Sequence, residues 1–165
     1  MVKEKSALKR FMIVWTRILD VFVFLAGILL WGQMVIVNIE VVSRYLGHPT
    51  TWVPEISSII ILWIPFMVAS WVLKREAHVK MDLLLQRLSP KAQTALNFIN
   101  SLIGAIVMFI ITGISLKTTI YWIGYKTPTI LMLPRAPIIG IIFIGSFMFG
   151  IQFFIDALNY FIKLK

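Results

Sequence analysis

Four stretches of this chain run for about 18 residues or more with almost no charge, the length a helix needs to cross the hydrocarbon core of a bilayer. They cover approximately residues 21–42, 54–73, 95–116 and 138–160. No other feature constrains the chain as strongly, because a peptide group in hydrocarbon has no water to bond and must find its partner within the protein. Composition agrees: 59% of residues are hydrophobic, 14% are charged, and the mean hydropathy is +0.91. The expected fold class is an all-α membrane protein. It has four transmembrane helices in a single membrane domain over residues 1–165, with a cytoplasmic interfacial amphipathic segment between the second and third.

The first run holds only Gln33, Asn38 and Glu40 as strongly polar residues and reaches ~33 Å at the helical rise. Upstream of it Leu8, Met12, Trp15 and Leu19 recur at helical spacing beside Lys9, Arg10 and Arg17. That pattern predicts a helix that starts along the headgroups before it enters the membrane. The basic N-terminus precedes an apolar stretch too long for a signal h-region, and no small-x-small cleavage site follows, so it reads as a retained signal anchor. Gly47-His48-Pro49 should end the helix. The second run lies between Trp52 and Trp71, which fit the two interfacial belts, and Pro65 inside it predicts a kink. Residues 74–92 are less apolar, with leucines among Lys80, Arg87 and Lys91, and suit a position on the membrane surface. Ser89-Pro90 has the form of a helix start. The third helix should continue toward Trp122, and Thr127 to Pro137, with three prolines, should form a loop. The fourth run then begins at Ile138 and carries Asp156 near its far end.

The net charge of +9 raises the possibility of nucleic acid, but the basic residues lie between the apolar runs and not along one exposed face. Topology accounts for them. Twelve of the 16 Lys and Arg residues fall in the N-terminal segment, the middle loop and the C-terminus, against Arg44, Lys117, Lys126 and Arg135 on the opposite side. The positive-inside rule therefore puts both termini and the middle loop in the cytoplasm. The absence of cysteine excludes disulfides, thiolate metal sites and cysteine nucleophiles.

Ionisable groups near the membrane are the first candidates for chemistry. Glu40 stands four residues before Arg44, the favourable order for a helical ion pair, and Glu55 opens the second span where a carboxylate suits the positive helix end. His48 lies in an outer loop and His78 in the middle segment, so no two histidines face each other as haem ligands. His78 and Asp82 share a helical face, but two residues make an incomplete metal site. Serines lack a base partner and no phosphate-binding glycine loop occurs. The residues thus predict no catalytic, substrate-binding or metal site and no cofactor. Glu40, Arg44, Trp52, Glu55, Trp63, Trp71, His78 and Asp82 remain as structural or partner-interface candidates. Gly104, Gly113, Gly140, Gly145 and Gly150 would allow close helix packing.

The order Ser43-Arg44-Tyr45, Trp52-Val-Pro-Glu55, Trp63-Ile-Pro-Phe66 and Arg75-Glu-Ala-His78-Val-Lys-Met-Asp82 is more specific than the rest. Together with the four-span layout it resembles the small membrane subunit of tripartite ATP-independent periplasmic (TRAP) transporters. The prolines at 54 and 65 depart from the helix-favouring residues expected there. The resemblance implies a bacterial inner-membrane complex of this subunit, a large many-span subunit holding the sodium and substrate sites, and a periplasmic substrate-binding protein. It further implies uptake of organic acids, such as dicarboxylates or sialic acid, driven by an ion gradient and not by ATP. This subunit would be a non-catalytic scaffold for the large one. The residues point the same way, since a small bundle without buried charges or broken helices has little with which to bind a polar solute. Two rivals make opposite demands. The membrane anchor subunit of a haem-containing redox complex needs histidines within the spans, and a self-sufficient exporter needs Glu40 at mid-membrane, whereas Glu40 lies near the outer end of its span.

The charge distribution predicts that reporter fusions after Lys165 and tags near Gln86 give cytoplasmic signals. A periplasmic signal from either position would refute this topology.

Overall fold

A computed structural model describes residues 2–76 and 89–164. They form four helices: α1 (Val2–Tyr45), α2 (Val53–Glu76), α3 (Pro90–Tyr121) and α4 (Arg135–Leu164). Each holds a candidate span, Met12–Tyr45, Val53–Arg75, Lys91–Tyr121 and Arg135–Lys163, long and apolar enough to cross a membrane. The segment expected to lie on the membrane surface, with His78 and Asp82, is mostly outside the described residues.

Local chemistry sets the helix ends. Past Tyr45 the His48 N–H reaches the Ser43 carbonyl at 2.9 Å and the Gly47 N–H reaches that of Arg44 at 3.2 Å. With Gly47 at φ +79°, this is a Schellman ending, which a residue with a Cβ would adopt only under strain. α2 begins where the Trp52 carbonyl accepts from Ile56 at 3.1 Å, and it continues through Pro65. α3 starts as its sequence predicts: Ser89 is extended at φ −61°, ψ 149°, its Oγ accepts from the Ala92 N–H at 3.4 Å, and Pro90 follows.

The start of α4 differs from expectation. The loop was expected to extend through Pro137, whereas the helix begins at Arg135 and takes Pro137 into its first turn. N–H groups of a first turn have no intrahelical partner, so a proline there removes no bond. The connection before it is ordered by its own bonds. Thr127 and Leu133 exchange contacts at 2.8 and 3.0 Å, the Arg135 N–H reaches the Tyr125 carbonyl at 3.0 Å, and the Arg135 guanidinium stands 4.2 Å from the Trp122 ring centre.

Contacts divide the chain into two units, Met1–Trp71 and Val72–Lys165, with the boundary inside α2. In the first unit Trp15, Leu19, Ala26 and Glu40 of α1 are buried at helical spacing. In the second, α3 and α4 pack antiparallel in a register read from Thr119 beside Gly140, Thr112 beside Ser146, Gly104 beside Phe153 and Phe98 beside Phe161. Their seam is small and hydroxylic. Ser101, Ala105, Thr112 and Ser115 of α3 are buried, as are Ser146 and Ala157 of α4, and the Thr112 and Ser146 hydroxyls share a hydrogen bond of 3.2 Å. Such residues let helix backbones approach where lipid leaves little hydrophobic drive between helices.

The glycines expected to serve packing divide. A Cβ built on Gly104 would stand 2.8 Å from the Phe153 ring and one on Gly150 would stand 3.4 Å from Phe109, while Gly113 meets nothing within 4 Å. Gly113 is therefore not at the seam. Gly104→Leu should destabilise the protein by about 1–3 kcal/mol through overpacking. Gly113→Leu should leave thermal unfolding in detergent unchanged or raised. Equal effects of the two substitutions would contradict the assigned seam.

Candidate functional site

In the first unit the Glu40 carboxylate accepts hydrogen bonds from Arg44 and Thr50. It lies one helical turn before Arg44, so the two side chains share a face of α1. The Arg44 guanidinium donates to Glu40 Oε1 at 2.8 Å, with the Arg44 side chain 68% exposed and that of Glu40 9% exposed. The other oxygen, Oε2, accepts from the Thr50 N–H at 3.0 Å and from the Thr50 hydroxyl. One carboxylate thus closes the loop between α1 and α2 onto the end of α1. Beside it Val37, Val41, Tyr45, Val53, Pro54 and Ser57 complete a mostly apolar groove of about 530 Å³.

A second polar contact joins the middle of α1 to the far end of α2. Trp71 Nε1 donates to Asp20 Oδ1 at 2.9 Å. Asp20 and Glu40 are twenty residues apart in one helix, a rise of ~30 Å, which is about the thickness of the hydrocarbon layer. The α1–α2 hairpin is therefore tied by hydrogen bonds at both edges of an apolar slab.

Of the sequence candidates, the structure joins Glu40 directly to Arg44 and makes Trp71 a hydrogen-bond donor. Trp52 precedes the first turn of α2, Glu55 stands within it and Trp63 lies further along, all three half-buried. His78 and Asp82 lie outside the described residues. Sequence reading missed Thr50 and Asp20, whose roles depend on where the turn and the partner helix put them. It also expected no buried charge, whereas Glu40 and Asp156 are each 7% exposed. Asp156 falls on the buried face because it stands one turn beyond the buried Gln152, whose Nε2 reaches Asp156 Oδ1 at 3.2 Å.

Among the described residues no three His, Cys, Asp or Glu side chains converge as a metal site would require. The polar contacts described above hold backbone and helices in place. Four apolar helices and structural polar contacts define a multi-pass membrane protein. Residues 33–162 match the family described as tripartite ATP-independent periplasmic transporters, DctQ component, and the chain belongs to this family of TRAP transporter small components. A comparison with curated proteins gives no match.

The Glu40 geometry makes a graded prediction. Glu40→Arg alone should cost about 3 kcal/mol or more, since it sets two cations together and strips Thr50 of its acceptor. Adding Arg44→Glu should restore the ion pair but not the Thr50 bonds, giving a stability between the single variant and the wild type in detergent unfolding. A double variant as unstable as the single one would show that the Glu40–Arg44 pair contributes nothing.

Proposed function

We propose that this chain is the non-catalytic small subunit of a bacterial inner-membrane TRAP transporter and braces a large subunit that carries the substrate. The observation that carries this reading is the family match over residues 33–162. In the same reading a periplasmic binding protein delivers an organic acid of the dicarboxylate or sialic acid class, a sodium gradient drives symport, and both termini face the cytoplasm.

The polar chemistry supports a bracing role. Binding an organic anion at membrane depth calls for fixed positive groups or helix N-termini, and sodium calls for converging oxygens. In the first unit the Glu40 carboxylate is already engaged by Arg44 and Thr50, and the Asp20 carboxylate by Trp71. In the second, Gln152 binds Asp156. In this reading Glu40, Arg44, Trp52, Glu55, Trp63, Trp71, His78 and Asp82 serve structure or the partner interface.

Uptake into reconstituted vesicles tests this. Vesicles holding the large subunit and the binding protein should take up substrate under an inward sodium gradient only when this subunit is included, and this subunit alone should move none. Ion-coupled uptake by the small subunit alone would overturn the proposal.

A further inference from the structure

Two outward helix faces solve the problem of meeting lipid in different ways. That of α3 is mainly aliphatic, with Ile99, Ile103, Ile106, Ile110, Ile114 and Ile120 exposed, although Gly113, Lys117 and Tyr121 are exposed as well. Isoleucine suits contact with acyl chains. The face of α1 away from its buried residues is built otherwise. Phe24, Gly27, Trp31, Met34, Asn38 and Val41 recur at alternating steps of three and four, the spacing of a helix–helix seam.

Several of these residues are ill suited to lipid. Trp31 is 69% exposed yet stands near the middle of the span, about eleven residues or ~16 Å from Asp20, far from the interfacial belts where tryptophan is favoured. Gly27 leaves an open notch one turn away, with nothing within 4 Å of a built Cβ. Asn38 is exposed, and its Nδ2 donates to the Met34 carbonyl at 2.7 Å, which leaves a carboxamide on an apolar face. Leu30, Trp31, Gln33, Met34, Val37 and Asn38 together line a groove of about 470 Å³ that brings two carboxamides to an otherwise apolar surface.

We infer that this face of α1 docks a transmembrane helix of the large membrane subunit, one that fills the Gly27–Trp31 notch with an apolar side chain and offers a hydrogen-bonding side chain to Asn38. The inference rests on the proposed bracing role and adds the surface through which it acts. Depth selects the occupant. The groove lies within the span Met12–Tyr45, so a water-soluble binding protein cannot reach it and only another membrane helix can. The carboxamides select its chemistry, since serine, threonine, asparagine or glutamine on that helix would pair with them.

The chain contains no cysteine, so single cysteines can be placed without a background. In membranes containing the whole transporter, cysteines at 31, 34 and 38, carrying a photoactivatable cross-linker, should join the large subunit, while those at 103, 106 and 110 should not. Asn38→Leu should weaken association of the two subunits about 3- to 30-fold, the span of measured interhelical hydrogen bonds in bilayers, and Asn38→Gln should recover part of it. Cross-links from the α3 positions but not from α1 would overturn the inference, as would α1 cross-links to a second copy of this chain or to lipid alone. If the wild-type chain does not co-purify with the large subunit, the bracing role itself fails. If it co-purifies but cross-links elsewhere, only the docking face is wrong.

Discussion

Inside the hydrocarbon layer a peptide group finds no water, and the architecture follows from where each N–H and C=O can be satisfied. Continuous helices meet the demand along their length, so the difficult places are their ends. At the end of α1 the solution has two layers. The Schellman bonds to Ser43 and Arg44 absorb the last carbonyls, and the Glu40 carboxylate then takes the Thr50 N–H, whose own backbone has left the helix. A side chain within α1 thus completes the backbone of the loop that follows it. Arg44 compensates the charge that this arrangement would otherwise leave buried, and its own exposure lets water share the task.

The two units hold helices together by different means. In the first, Asp20–Trp71 ties α1 to α2 and, ~30 Å further along α1, Glu40–Thr50 ties it to the loop that leads into α2. In the second, the fixing is distributed along the α3–α4 seam, where small residues bring the backbones close and Thr112 meets Ser146 midway. Loss of one tie in the first unit would free an end, whereas loss of one in the distributed seam leaves neighbouring contacts to hold the register. That difference follows from geometry: contacts spread along a helix share a load that two terminal contacts cannot.

The features legible in the sequence were those decided within one continuous segment of chain. The four spans follow from unbroken apolar runs, and the Gly47 ending, the Ser89 cap and the Glu40–Arg44 pair from residues five or fewer positions apart. The features that escaped depend on distant partners. Asp20 and Trp71 are 51 positions apart, and nothing near either residue names the other. Thr50 reaches Glu40 only because the turn doubles back across ten positions. The early start of α4 escaped for another reason. A proline was taken as a helix breaker, although its harm depends on whether its N–H had a partner to lose, and in a first turn it does not. Asp156 was seen as lying near the end of its span, but its burial followed from the face it shares with Gln152, which only the seam defined.

The bonding of Glu40 bears on where a coupling ion could act. An ion binding at this carboxylate would have to displace the Arg44 guanidinium from one oxygen and the Thr50 N–H and hydroxyl from the other. The displaced N–H would then be left without an acceptor beside an apolar groove, a penalty of about 1–3 kcal/mol before any ion is held. Arg44 would also stay close by and repel a cation. A site meant to load and unload an ion repeatedly needs the opposite character: oxygens that are preorganised but unclaimed, with no resident cation to compete. Glu40 is therefore better suited to holding the α1–α2 turn in one shape than to exchanging charge across the membrane. This agrees with the proposed division of labour, in which the first unit supplies a fixed surface and any ion-coupled movement belongs to the large subunit.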